Sequence, residues 1–124
     1  MHIVLCVLHL GIGTILDEYS AEEKRKVIDH WWSAKSHHGE HLRNVAGFLL
    51  QNSTMARGDN VRHLQLSDMW SRTMDGEGPS ICIALGITSR QGKTNKVGRA
   101  EYTCAIRHKD FHVCTVGMVA IYFF

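Results

Sequence analysis

Cationic side chains in the middle and later parts of this chain are of the types that bind phosphate groups. Residues 86 to 109 contain six Lys or Arg and one acidic residue, whereas residues 1 to 85 contain eight against ten. A guanidinium group binds phosphate oxygens through a planar pair of donors, and an ammonium group can donate a proton at short range. Such contacts attract a polyanion and weaken with salt. The candidate residues for binding a polyanion are Arg57, Arg62, Arg90, Lys93, Lys96, Arg99, Arg107 and Lys109.

Simpler interpretations of the same residues stay open at this point. Arg57 could pair with Asp59 or Asp68, and Lys93 could be a solvated loop residue. Lys96 is an alternative to Lys93 as the lysine that contacts a phosphate. No segment is recognisable as a recognition helix with side chains placed for base edges, so the sequence predicts no base preference.

Helical periodicity predicts the elements that carry the first arginines. Ser20 followed by Glu23 forms a capping box, which predicts a helix from about Ala21 to Ser33. A second helix is predicted from apolar residues at helical spacing: Leu42, Val45, Ala46, Leu49 and Leu50. It should end near Gln51, with Asn52 as its cap before a turn at residues 52 to 54.

The remaining elements are shorter. A helical turn is expected around Arg57, followed by a segment in which Leu64 and Leu66 face the core. Strands are predicted at residues 81 to 87, where isoleucine and leucine alternate with small residues, and at residues 100 to 106. The basic segment between them contains Gly92, Asn95 and Gly98, which predicts a hairpin. The final stretch, TVGMVAIYFF, is predicted to be helical. The predicted fold class is α+β, mainly helical, with a small antiparallel β-hairpin.

The order helix, arginine, strand, lysine hairpin, strand, helix resembles the first half of the tyrosine recombinase catalytic domain. The closer resemblance is to the second domain of the fungal centromere DNA-binding complex subunit and to the related Crypton recombinases. It is carried by RNVAGFLLQNSTMARGDNVRHLQLSDMW, GPSICIALGITSRQGKTNKVGRAEYTCAIRHKD and VCTVGMVAIYFF, within residues 41 to 124. We therefore divide the chain into an unmatched apolar N-terminal segment, residues 1 to 20, and a partial recombinase-like DNA-binding domain, residues 21 to 124.

The resemblance implies roles for two residues and an incomplete active site. In active recombinases an arginine at the position of Arg57 holds the scissile phosphate, and a lysine at the position of Lys93 is the general acid. The chain contains no His-x-x-Arg element, and its tyrosines, Tyr19, Tyr102 and Tyr122, lie in the wrong segments for a nucleophile. We therefore expect no catalytic residues and no DNA cleavage by this chain. Thr115 stands where the family usually has proline and is expected to cap the last helix.

The resemblance also implies a setting, namely double-stranded DNA as the partner and the fungal nucleus as the location. No membrane association is expected, because the apolar start of the chain is short for a span, which needs roughly 20 residues. The C-terminal apolar helix could contact a partner protein or a second copy. Two alternatives to DNA binding stay open: a non-functional, truncated remnant of a mobile-element recombinase, and a protein-interaction module.

Nucleotide, metal and cofactor sites are disfavoured. The segment GITSRQGKT has five residues between Gly86 and Gly92, whereas a P-loop needs four and must continue into a helix. The densest possible metal ligands are Cys104, His108, His112 and Cys114, and their spacing fits no standard zinc pattern. We expect neither a metal nor a cofactor.

Overall fold

The computed structural model describes residues 20–90 and 97–124, which form four helices and a three-stranded antiparallel sheet. The predicted α+β class is confirmed. Two short 3₁₀ turns, Leu66–Asp68 and Phe111–Val113, precede the first strand and the last helix. The elements in chain order are α1 (Ala21–Trp32), α2 (His38–Thr54), α3 (Gly58–Arg62), β1 (Met69–Met74), β2 (Cys82–Ser89), β3 (Glu101–Ile106) and α4 (Thr115–Phe123).

Helix α1 begins at the predicted capping box. The Ser20 hydroxyl accepts a hydrogen bond from the Glu23 backbone N–H at 3.2 Å, and the Glu23 carboxylate accepts one from the Ser20 N–H at 2.7 Å. The latter bond is the main reason that the pKa of Glu23 is lowered from its ordinary value. The helix ends at Trp32, one residue before the predicted end.

Helix α2 runs three residues beyond its predicted end. The polar residues that predicted a turn instead bond carbonyl groups within the helix: Asn52 Nδ2 donates to Phe48 O at 3.0 Å, and Thr54 Oγ1 donates to Leu50 O at 2.6 Å. The prediction that Asn52 caps the helix was therefore wrong. The helix ends at Thr54, and its C-cap is Met55, whose φ of 53° places it in the left-handed region.

The core lies where α1, α2 and α4 meet. Ile28, Val45, Leu49 and Met118 are each at most 1% exposed, and Ala46 completes this cluster. A second cluster of Leu50, Ile87 and Val119 joins α2 and α4 to the sheet. The sheet is thus covered by helices on the face that carries Ile87.

The sheet has one more strand than the sequence predicted. The hairpin of β2 and β3 is confirmed, with Ser89 paired to Glu101 at one end and Ala84 to Ile106 towards the other. Strand β1 was missed because four of its six residues are exposed, which leaves no apolar alternation to detect. Ile81, assigned to the strand from the sequence, precedes β2 and is 72% exposed.

The segment between α3 and β1 agrees in part with its prediction. Leu64 packs against the cluster of Leu50, Ile87 and Val119, as expected. Leu66 is 62% exposed, so the prediction that it faces the core was wrong. Leu66 is the first residue of the first 3₁₀ turn, and its side chain points away from the Ile87 cluster, against which Leu64 packs.

Helix α4 is confirmed, but Cys114 caps it instead of Thr115. The buried Cys114 Sγ accepts a hydrogen bond from the Gly117 N–H at 3.3 Å. Thr115 is the first helical residue, and its hydroxyl donates to Leu49 O at 3.4 Å, which ties α4 to α2. Within residues 20–90 and 97–124, no helix has the length and apolar character needed to cross a membrane.

Candidate nucleic-acid interface

The two ends of the sheet differ in the charged residues that flank them. Because the strands are antiparallel, the start of β1, the end of β2 and the start of β3 lie at one end. Met69, Ser89 and Glu101 mark this end, which we call the basic end. The opposite end is marked by Met74, Cys82 and Ile106. A strand of six residues spans about 20 Å, so the two ends are well separated.

Two of the predicted arginines flank α3, which packs at the basic end. Val61 of α3 packs against the cluster that contains Ile87, and Ile87 pairs with Met69 at that end of the sheet. Arg57 is the N-cap residue of α3, and Arg62 is its last residue. Both side chains are exposed. A helix of five residues has little stability of its own, so its position depends on packing against α2 and the Ile87 cluster.

Two further arginines flank the connection between β2 and β3 at the same end. Arg90 directly follows β2, and Arg99 lies two residues before β3; both are exposed. Lys93 and Lys96 belong to this connection and lie outside the described residues. The fold thus brings Arg57, Arg62, Arg90 and Arg99 to one end of the sheet from segments that are far apart in sequence.

The local acids do not neutralise Arg57. Asp59 Oδ1 lies 3.4 Å from Arg62 Nη1, and the Asp68 carboxylate accepts a hydrogen bond from the Gln65 N–H at 3.0 Å. Within residues 20–90 and 97–124, no ion pair involves Arg57, so the pairing with Asp59 or Asp68 that the sequence left open does not form. Among the described residues, Arg62 is thus paired with Asp59, whereas Arg57 forms no ion pair.

Residues 19–124 match the family described as domain 2 of the subunit of the centromere DNA-binding protein complex CBF3. The chain belongs to this family. The match begins at residue 19, so α1 lies within the family domain, although the sequence resemblance was recognised only from residue 41. Comparisons with the curated proteins and with the solved structures gave no match.

The last two predicted cations of this CBF3 domain 2 family member lie away from the basic end. Arg107 directly follows β3, with its N–H bonded to Ile83 O at 3.3 Å, and Lys109 lies two residues further on. Asp110 follows Lys109 in the chain. The carboxylate of Asp110 pairs with Arg25 at 2.6 Å, and Arg25 also lies 3.9 Å from the carboxylate of Asp29. The six of these residues that the structure describes therefore do not form one surface, since four flank the basic end and two follow the opposite end of β3.

The cysteine and histidine residues near α4 serve local structure. Cys114 Sγ accepts hydrogen bonds from the His108 and Gly117 N–H groups, both at 3.3 Å. His112 lies 3.3 Å from Asp29 and contacts the ring of Trp32. No group of three or more possible metal ligands occurs in the part of the chain that the structure describes.

Sequence reasoning missed a cation and two aromatic residues on the sheet. Arg72, Trp70 and Tyr102 are exposed strand residues whose partners on β2 are Ala84, Gly86 and Thr88. The available signal was a glycine inside a strand, since Gly86 marks a place where another group approaches the backbone closely. That signal gives no indication of which residue approaches.

Proposed function

We propose that this domain binds double-stranded DNA through backbone phosphates at the basic end, in the nucleus, without cleaving it. Its membership of a centromere DNA-binding family supports a DNA ligand. The observation that carries the proposal is the packing of α3 against the Ile87 cluster. This packing places arginines from separate segments of the chain at one end of the sheet. Arg57 is central, because it is exposed and without an ion pair among the described residues.

The charge balance favours this end of the molecule over the opposite one. In sequence, segments 57–68 and 90–101, which flank the basic end, carry six cations, of which Lys93 and Lys96 lie outside the described residues, and three acids, Asp59, Asp68 and Glu101. The charges of Arg62 and Asp59 partly cancel, because the two side chains form an ion pair. A net positive surface of this kind binds DNA by releasing counterions from the phosphates, which requires no particular base sequence.

The absence of cleavage is proposed from the chemistry that the sequence supplies. Activation of a phosphodiester needs several cationic groups around the phosphate and a placed nucleophile. The chain has no His-x-x-Arg element, so none of Tyr19, Tyr102 and Tyr122 has the position, beyond such an element, that the resemblance implies for a nucleophile. Without these groups, Arg57 would hold a phosphate of the DNA backbone but would not promote its cleavage.

Salt-dependent binding of matched double variants tests the proposal. We expect Arg57→Ala with Arg90→Ala to weaken binding to a random-sequence duplex and to reduce the slope of log affinity against log salt by roughly 2, since each phosphate contact contributes about 0.9. The control is Arg107→Ala with Lys109→Ala, which removes the same charge at the opposite end and should change the slope much less. Fluorescence anisotropy at several salt concentrations measures both.

Two results would contradict the proposal. If both double variants lose affinity equally, net charge rather than the basic end governs binding. If the folded wild-type chain does not bind the duplex, the proposal of duplex binding by this domain is wrong. Circular dichroism of every variant and the cooperativity of thermal unfolding separate these outcomes from a chain that does not fold stably, as expected for a recombinase remnant.

The end of α4 supports a second candidate function, contact with a partner protein or a second copy. Ile121, Tyr122 and Phe123 are 39–41% exposed and form an apolar surface, with Tyr122 and Phe123 in edge contact. We expect a concentration-dependent rise in the sedimentation coefficient that Tyr122→Ser with Phe123→Ser abolishes. A wild-type chain that stays monomeric at high concentration would leave self-association without support.

A further inference from the structure

The face of the sheet that points away from the helices carries exposed aromatic side chains. Directly paired residues of antiparallel strands project to the same face, and successive residues alternate. Ile87 and Ala105, at 3% and 4% exposure, point to the helices. The opposite face, which we call the outer face, therefore carries Trp70, Arg72 and Met74 of β1, Cys82, Ala84, Gly86 and Thr88 of β2, and Tyr102, Cys104 and Ile106 of β3.

The indole of Trp70 lies on the sheet with one side open. A Cβ atom built at Gly86 would overlap three ring carbons of Trp70, namely Cδ2, Cε2 and Cζ2, at similar separations. The indole therefore covers the glycine backbone with its face. Its Nε1 donates to Thr88 Oγ1 at 3.3 Å, which fixes the ring direction across β2. Trp70 is nevertheless 44% exposed, so the ring is held in place while its other face meets solvent.

Tyr102 flanks the same site from the other edge of the sheet. It pairs with Thr88, the residue that the Trp70 indole reaches, and it is 69% exposed. Two strand spacings and two residues along the strands separate the Cα atoms of Trp70 and Tyr102 by roughly 12 Å. Two or three nucleotides of an extended strand can span that distance. Both residues lie towards the basic end, close to Arg90 and Arg99.

The charge of the outer face suits an anionic ligand. Arg72 is exposed on it, two residues along β1 from Trp70, and has no ion pair among the described residues. None of the outward-pointing residues of the three strands is Asp or Glu. A nucleic acid strand complements such a face, because its phosphates match the arginine and its bases offer ring faces to the aromatic side chains.

We propose that the outer face binds unpaired nucleotides of single-stranded DNA, with bases stacked on Trp70 and Tyr102 and a phosphate held by Arg72. Aromatic residues on an antiparallel sheet provide such stacking sites for bases that are not stacked in a duplex. The choice of DNA rests on the function proposed above. The outer face would thus recognise unpaired bases, whereas the contacts at the basic end recognise only phosphates.

A ligand pair that differs only in its bases tests the proposal. We would measure binding of the full chain to labelled dT10 and to an abasic DNA decamer, which has the same phosphates but no rings to stack. We expect dT10 to bind at least about fivefold more tightly, the lower bound for one base on one aromatic side chain. Equal affinity for the two strands would overturn the proposal. Tighter binding of the RNA strand U10 than of dT10 would overturn the assignment to DNA.

Variants locate the effect on the outer face. Tyr102→Ala should reduce dT10 affinity about fivefold or more and leave abasic binding unchanged, because the exposed side chain contributes little to the core. Trp70→Leu keeps an apolar cover on Gly86 but removes the indole face, and should act in the same way. The matched control is Phe111→Ala, which removes an aromatic side chain that is 51% exposed and lies outside the sheet. A dT10 preference that survives both sheet variants would contradict the proposal.

The result is distinguishable from a failure of duplex binding. Loss of the dT10 preference in Tyr102→Ala with an unchanged duplex salt slope would support stacking on the outer face and leave the basic end intact. A wild-type chain that binds the duplex but prefers neither dT10 nor the abasic strand would overturn only the stacking proposal. A chain that binds dT10 but not the duplex would overturn only the duplex proposal.

Discussion

Replacing Leu49 with alanine is expected to lower the free energy of unfolding by about 2–5 kcal/mol. Leu49 is fully buried where α1, α2 and α4 meet, in the cluster that contains Ile28 and Met118. Truncation removes apolar contacts and leaves a cavity that three packed helices cannot close completely. Its carbonyl also accepts the Thr115 hydroxyl bond, so relaxation of α2 would disturb the start of α4.

Urea denaturation followed by circular dichroism measures this effect, with Leu66→Ala as the control. Leu66 is 62% exposed, and the same truncation there should change the unfolding free energy by no more than about 0.5 kcal/mol. Similar losses for the two variants would contradict the described packing. They would also restore the sequence-based prediction that Leu66 faces the core.

Replacing Gly86 with alanine is expected to cost about 1–3 kcal/mol, as overpacking does in a filled site. The added methyl group would overlap the indole of Trp70, which is itself held by the bond to Thr88. The backbone at Gly86 lies outside the left-handed region, so the cost arises from the close contact and not from the dihedral angle. Trp70 would have to leave β2, and the sheet would lose the contact of the indole with Gly86 and Thr88.

The same substitution at Gly47 should raise the free energy of unfolding instead of lowering it. Gly47 lies in the middle of α2, and a Cβ there meets nothing within 4 Å. Alanine in a helix interior is favoured over glycine by about 0.5–1 kcal/mol. Thermal unfolding of both variants, and of Gly86→Ala combined with Trp70→Ala, measures the contrast. If the combined variant shows no reduced penalty for Gly86→Ala, the indole is not the cause.

A local signal in the sequence was sufficient for the start of α1. The capping box of Ser20 and Glu23 involves residues three apart, so its prediction needed no knowledge of the rest of the fold. The apolar spacing of α2 likewise identified Val45, Ala46, Leu49 and Leu50 as core residues, and all four are buried. The C-terminal end of α2 was misjudged, because Asn52 and Thr54 can bond a turn or a preceding carbonyl equally well.

Strand β1 shows where local reasoning fails. Its sequence, MWSRTM, has polar and exposed residues on both faces, and it forms a strand because β2 supplies its hydrogen-bonding partners. Trp70 is ordered by contact with Gly86, which lies 16 residues later in the chain. The cap of α4 was also misassigned, since the buried Cys114 takes the position expected of the hydroxyl of Thr115.

The sequence by itself determined the residue types of the candidate site and the family to which the chain belongs. Charge composition and motif order pointed to phosphate contacts and to a mainly helical α+β domain. Only the tertiary structure decided which cations lie together. Packing of Val61 on the Ile87 cluster brings Arg57 to the basic end, whereas the length of β3 separates Arg107 and Lys109 from it. The physical reason is that charge and periodicity are local properties, while the position of a surface cation depends on contacts between distant apolar residues.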